Sequence, residues 1–264
     1  MTELSFQPGR ANLPAGSVDY ACAGEGPPLF YLHPAAGFRV TPPVERLARR
    51  FRVIAPVVPG FDGTPLLNGI ATVAGIADVY AGLIDALAGG RAAVVGQSLG
   101  AWVGAWLAIR HAAKVEPLIL ASPAGLRPPS MPPLSFDPAV MARQLYSHPE
   151  RRPPETKTPE QLAANRKALA HYGIGTAWDA ELDRRLGEIG CLTLVVHGTK
   201  DVRVPAEAVR KMRREIPHAH LVYVHDAAHA IESDQPERVG ALYEDFLARG
   251  EAFVVNAGRA PEVL

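Results

Sequence analysis

Short apolar runs alternate with helix-length segments along most of the chain, and this alternation constrains the fold more than any other feature. The runs Ser17–Ala21, Pro28–His33, Arg52–Val58, Arg91–Gly96, Val115–Ala121, Leu192–His197 and His220–His225 are rich in Val, Ile and Leu. Several are apolar at consecutive positions, as in strands buried on both faces of a parallel sheet. Between them lie amphipathic or alanine-rich stretches at Pro43–Arg50, Thr72–Ala88, Leu99–Ala112, Pro205–Ile216 and Gln235–Leu247. The pattern predicts an α/β domain built on a doubly wound, mostly parallel sheet.

The rhythm stops between Gly125 and Gly187. The run Arg127-Pro128-Pro129-Ser130-Met131-Pro132-Pro133 forbids a continuing helix or a central strand, so the chain must leave the sheet there. A helix then starts at Thr158-Pro159-Glu160-Gln161. Thr158 caps it, Pro159 suits its first turn, Gln161 completes a capping box and Gly173 stops it. The expected organisation is a core of residues 1–124 and 188–264, with 125–187 inserted as a helical cap over the carboxyl edge of the sheet. The tail from Gly250 to Leu264 is weakly patterned and is expected to fray.

Composition removes several classes of function. At 264 residues the chain is long enough to bury a core, and 48% hydrophobic with 20% charged residues is a globular composition. Lys plus Arg total 27 and Asp plus Glu total 27, which leaves no electrostatic footprint for nucleic acid or an anionic membrane. Cys22 and Cys191 form no CxxC motif and no cluster with histidine, which argues against a disulfide framework and a zinc site. They are expected to sit reduced in a cytoplasmic protein. Met1–Pro8 lacks the basic start and apolar run of a signal peptide, and no run approaches the roughly 18 apolar residues of a membrane span. The expectation is a protein without cofactor or metal that acts on a small molecule. Its oligomeric state is not legible.

Gly96-Gln97-Ser98-Leu99-Gly100 fits G-x-S-x-G, and it ends a strand and opens a helix. That context is what a nucleophile elbow demands, with the hydroxyl thrown above the sheet edge and glycines leaving room for close backbone approach. A serine hydroxyl needs a base, and the base an orienting acid, in chain order serine, acid, histidine. Asp201 lies in the turn after Leu192–His197 and is delivered to the same edge as Ser98, whereas Leu120-Ala121-Ser122-Pro123 offers no carboxylate. Of the later histidines, His218 and His220 fall at the wrong end of the last strand. His229, in the loop after that strand, has the reach of a base, with His225 the runner-up. Asp226 is a rival acid better suited to shaping the loop. An oxyanion needs two amide donors: that of Leu99, and one from Pro34-Ala35-Ala36-Gly37. Pro34 has no N–H, so Ala35 is expected and Ala36 is the reserve.

The chain resembles the α/β-hydrolase fold superfamily, in its cap-bearing branch, from about Gly26 to Leu247. The resemblance rests on Leu32-His33-Pro34, Pro59-Gly60-Phe61-Asp62-Gly63-Thr64, the elbow at Ser98, His197-Gly198-Thr199-Lys200-Asp201 and the stretch His229–Glu237. It implies Ser98, Asp201 and His229 as a catalytic triad. The family usually carries His-Gly where this chain has His33-Pro34.

Trp102, Trp106 and Ile109 recur at helical spacing as a core stripe, and Gly100 with Gly104 permits close packing on the sheet. Arg210, Lys211, Arg213 and Arg214 read as a solvated face. Arg166 shares a face with Leu162 and Leu169. It is expected either to meet an anionic substrate group or to pack its stem at the rim of the cap. The expected function is a serine hydrolase cleaving a small ester or related acyl bond. A carbon–carbon bond hydrolase of the meta-cleavage-product type shares triad and cap, although no aromatic follows His229 where those enzymes carry tryptophan. A non-catalytic ligand receptor on the same fold is the reading from another class.

Overall fold

The computed structural model of the chain describes residues 5–132, 135, 137–174 and 178–253. Its eight strands form one sheet in the order β1-β2-β4-β3-β5-β6-β7-β8. They are β1 (Gln7–Leu13), β2 (Gly16–Ala23), β3 (Pro28–Leu32), β4 (Arg52–Pro56), β5 (Ala92–Gln97), β6 (Val115–Ala121), β7 (Thr193–Gly198) and β8 (Ala219–Val224). β1 and β2 are antiparallel and β2 joins β4 antiparallel; every other pairing is parallel. From β3 the chain turns first to β4 on one side and then to β5 on the other. Strand order therefore reverses at β3, and the carboxyl ends of β3 and β5 open a crevice between their departing loops.

The helices are α1 (Pro42–Leu47), α2 (Val73–Ala88), α3 (Leu99–Arg110), α4 (Pro138–Leu145), α5 (Pro159–His171), α6 (Ala180–Arg185), α7 (Ala206–Glu215), α8 (Ile231–Asp234) and α9 (Pro236–Arg249). Both sheet faces are covered. Phe30 and Leu32 of β3 pack with residues of α2, α3 and α7, whereas Leu29 and Tyr31 pack with residues of α1 and α9. Successive side chains of a strand point to opposite faces, so a two-sided core makes the strand apolar throughout.

The expected strands and sheet helices are present, and β1 is an addition. Its sequence Gln7-Pro8-Gly9-Arg10 is largely exposed at the sheet edge, where proline and charge are tolerated and the apolar signal is lost. Between β6 and β7 the described residues form no strand, only helices and one isolated bridge, Leu126 to Trp178. The capping box is formed: Thr158 Oγ1 accepts from the Gln161 amide at 3.2 Å, and Gln161 Oε1 accepts from the Thr158 amide at 3.0 Å. α4 and α6, which periodicity missed, are short helices whose first turns are capped by Asp137 and Asp179. Gly250–Phe253 form a turn with Phe253 against Phe246, contrary to the expected fraying there, while 254–264, Pro133 and residues 1–4 lie outside the described residues. On α7, Arg210, Lys211 and Arg214 pair with neighbouring carboxylates. Among the described residues no helix is long and apolar enough to cross a membrane.

The glycines around Ser98 are needed for different reasons than Gly104. A Cβ on Gly96 would stand 2.3 Å from the Gly100 carbonyl oxygen, and one on Gly100 would stand 1.9 Å from that of Leu32. Both obstacles are backbone and cannot yield. A Cβ on Gly104 would meet side-chain carbons of Leu118 and Val94 at 3.4 and 3.5 Å. Gly100→Ala should therefore destabilise the protein by about 3 kcal/mol or more, or prevent folding. Gly104→Ala should cost little and can gain up to about 1 kcal/mol of helix propensity. Urea unfolding of the two variants checks the contrast.

Candidate active site

Ser98 is the single residue between β5 and α3, at φ 53° and ψ −109°. A non-glycine residue with positive φ is strained, and here the surroundings hold it in place. The Ser98 amide donates to the Ala121 carbonyl at 2.8 Å, and the Ser98 carbonyl accepts from the Trp102 and Ala124 amides. The turn is thus pinned to the end of β6, and its side chain faces the carboxyl edge.

His229 stands over that hydroxyl. Its Nδ1 lies 2.9 Å from Asp201 Oδ2 and its Nε2 lies 2.8 Å from Ser98 Oγ. An ionised carboxylate only accepts, so Nδ1 carries the proton and Nε2 is left to accept from the serine. The other oxygen of Asp201 accepts from the Arg203 amide at 2.8 Å and the Val204 amide at 3.0 Å. Burial pushes the Asp201 carboxyl up, but the charge and hydrogen bond of His229, with the Val204 amide, outweigh it and hold the group below its ordinary range. The two loops that carry acid and histidine press together: a Cβ on Gly198 would meet the Ala228 carbonyl oxygen at 2.3 Å.

His225, by contrast, is exposed. Asp226 adopts φ 57° and spends its carboxylate on Lys200 Nζ, His148 Nε2 and Ser147 Oγ, at 2.5, 2.8 and 3.0 Å. It shapes the loop and ties it to the chain between β6 and β7. The Ala230 amide adds a second tie, donating to the Leu145 carbonyl at 2.7 Å. His197 is buried, with Nδ1 3.9 Å from Asp201 Oδ2; burial lowers its pKa although Asp201 pulls the other way.

Pro34-Ala35-Ala36-Gly37 forms a turn closed by the Gly37 amide on the Pro34 carbonyl at 2.9 Å. His33 braces it from below. Its Nε2 accepts from the Val58 amide at 3.0 Å, so its Nδ1 carries the proton and donates to the Pro34 carbonyl at 2.8 Å. Burial lowers the pKa of this imidazole, in keeping with a neutral ring in that role. Ala35 is half-buried and Leu99 buried. Among the described residues neither amide has an acceptor.

Arg166 is exposed on α5, which instead buries Asn165 and Ala168. Asn165 Oδ1 accepts from the Asp62 amide at 2.6 Å, and its Nδ2 donates to Asp62 Oδ1 at 3.0 Å. Sequence reasoning missed Lys157, whose side chain is 8% exposed, pairs with Asp62 Oδ1 at 2.7 Å and donates to the Phe38 carbonyl at 3.3 Å. Trp102 and Trp106 are buried as expected, yet both indole N–H groups donate to Asp179 Oδ2, at 2.8 and 2.7 Å. Among the described residues no group of three or more His, Cys, Asp or Glu is placed to hold a metal ion.

The chain is 29% identical over 256 residues to a 2-hydroxymuconate semialdehyde hydrolase of Pseudomonas putida, covering 87% of this chain and 90% of that one. It is 27% identical over 226 residues to a pimeloyl-[acyl-carrier protein] methyl ester esterase of Neisseria meningitidis, covering 78% and 86%. Among solved structures, a thermophilic esterase from Thermogutta terrifontis with malate bound superposes with a TM-score of 0.72 at 27% identity, covering 92% of this chain and 98% of that one. A family model matches residues 26–242, and on that match the chain belongs to the alpha/beta hydrolase family.

Proposed function

We propose that the protein is a serine hydrolase that cleaves a small ester or related acyl bond without a cofactor. The observation that carries this reading is the continuous relay from Ser98 Oγ through His229 to Asp201, with contacts of 2.8 and 2.9 Å, at a strained turn. His229 Nε2 takes the serine proton as Oγ attacks the substrate carbonyl carbon, and Asp201 holds the imidazole and stabilises the imidazolium. The Ala35 and Leu99 amides donate to the oxyanion of the tetrahedral intermediate. As that intermediate collapses, the bond from carbonyl carbon to leaving-group oxygen breaks and His229 gives its proton to that oxygen. Water then attacks the acyl-enzyme, its proton passing to His229 and on to Ser98 as the acid leaves.

In this reading 125–187 act as a cap over the site, and the contacts of Lys157, Asn165, Ser147 and His148 with loops at the carboxyl edge support that role. Two free cysteines, Cys22 and Cys191, fit a cytoplasmic setting. Carbon–carbon hydrolysis is the second reading, favoured by the likeness to the Pseudomonas putida hydrolase. The exposed Arg166 lends it no anion site on α5. Assaying p-nitrophenyl esters of graded length beside a vinylogous diketone tests the choice. Turnover of the esters alone is the expected result. Preferred turnover of the diketone would select the second reading, and stoichiometric binding with no turnover would select a receptor.

A further inference from the structure

We propose that Glu232 is a positioning residue that fixes the oxyanion loop to the catalytic base through the hydroxyl groups of Tyr31 and Thr41. The inference rests on the serine-hydrolase reading above and goes beyond it, because Glu232 touches neither Ser98 nor a reacting atom. It is 1% exposed and sits in α8, the short helix that begins two residues after His229. Its Oε2 accepts from Tyr31 Oη at 2.8 Å and from Thr41 Oγ1 at 2.8 Å, and its Oε1 accepts from Tyr243 Oη at 3.3 Å.

The identity of the donors gives this cluster its meaning. Tyr31 belongs to β3 and precedes Ala35; Thr41 follows it, at the start of α1. The two ends of the 33–41 loop therefore converge on one oxygen atom of one carboxylate. That carboxylate is joined to His229 by a short, bonded path, in which the Ser233 and Asp234 amides donate to the Ala230 carbonyl at 2.9 and 3.0 Å. On its other side the same loop is held by the chain between β6 and β7, through Arg39 to the Pro154 carbonyl at 2.8 Å and Lys157 to the Phe38 carbonyl, and at its base by the Val58 amide on His33. Glu232 is thus the link between loop and base that runs through the core.

A carboxylate is an expensive choice for mere packing. No cation is within salt-bridge distance of it among the described residues, and burial drives its pKa up against three hydroxyl donors that pull it down. The surrounding cluster holds Tyr31, Val44, Ile231 and Tyr243, where an apolar side chain would pack without the desolvation penalty. What an apolar side chain lacks is the capacity to hold two hydroxyls at a common point. Catalytic donors must stay within about 0.5 Å of their productive placement, and a displacement of about 1 Å can cost on the order of 100-fold in rate.

The test uses Tyr31→Phe, Thr41→Val, Tyr243→Phe, Glu232→Ala and Glu232→Gln in the full-length protein. Each is read for kcat and KM on a p-nitrophenyl ester, for the inhibition constant of an alkyl boronic acid, whose tetrahedral adduct places an oxygen in the oxyanion hole, and for its urea midpoint. Tyr31→Phe and Thr41→Val are expected to lower kcat and boronate affinity together by about tenfold or more, with KM within about threefold. Tyr243→Phe removes a bond to the same carboxylate from outside the loop, so its midpoint should fall while kcat changes less than threefold. Glu232→Ala should lose about 100-fold in kcat, and Glu232→Gln, which keeps an acceptor oxygen for Tyr31 and Thr41, should recover most of it. Losses in kcat that merely follow the urea midpoints across the set, Tyr243→Phe included, would make Glu232 structural and overturn the proposal. A wild-type protein with no turnover and no boronate affinity would instead remove the hydrolase reading itself, and the proposal with it.

Discussion

Ser98→Ala should lower kcat by about 10⁴-fold or more while leaving the urea midpoint nearly unchanged. The size follows from the proposed mechanism, in which without Oγ nothing remains for His229 to activate, and only the proposed oxyanion donors and binding still favour the transition state. The small effect on stability follows from the position of the side chain, which faces the carboxyl edge and makes one hydrogen bond, to His229. Alanine at φ 53° keeps a strain the turn already bears. An organophosphonate should label Ser98 in the wild type and nothing in the variant, as read by intact mass and peptide mapping. A variant that retains a tenth of the wild-type rate would remove Ser98 from the chemistry.

His229→Gln is expected to cause a loss of comparable size and, in addition, to change the shape of the pH profile. In the wild type, kcat/KM should rise with pH through one ionisation, because the neutral imidazole accepts the serine proton and the imidazolium cannot. Asp201 does not supply that limb. Its carboxyl is held below the ordinary carboxylate range, so it is ionised throughout the region where an imidazole titrates. Asp201→Asn should lower kcat by about 10⁴-fold, since an amide no longer fixes the tautomer that leaves Nε2 free. His225→Gln, at an exposed position, should keep both limb and rate. The reverse pattern between the two histidines would overturn the assignment.

The elements around Ser98 were legible because each is a local pattern. A strand, a tight turn with flanking glycines and a helix are contiguous in sequence, and the close contacts at Gly96 and Gly100 are the physical content of that motif. His229 and Asp201 were legible for a related reason, since each follows a strand whose direction delivers it to one edge. Glu232 was not. Its partner Tyr31 lies 201 positions away and Thr41 lies 191 away, so only the folded sheet brings the three together. Arg166 shows the limit of periodicity in a weakly amphipathic helix. The side of α5 that turns inward is chosen by Asn165, which meets the backbone amide and carboxylate of Asp62, and not by the leucines around Arg166. β1 escaped because an exposed edge strand needs no apolar run.

The bonds from Trp102 and Trp106 to Asp179 also determine what the protein's light emission can report. The chain has three tryptophans, and the third, Trp178, adjoins Asp179 and bridges to Leu126. The indoles of Trp102 and Trp106 therefore sit at the seam where the chain between β6 and β7 meets α3. Emission followed in a titration or a melt reads the opening of that seam as well as global unfolding, since both indoles are buried in the core that α3 shares with the sheet. A spectroscopist would need far-ultraviolet circular dichroism beside it to tell an opened seam from the loss of strands and helices, and a lag between the two curves would measure how independently the seam opens.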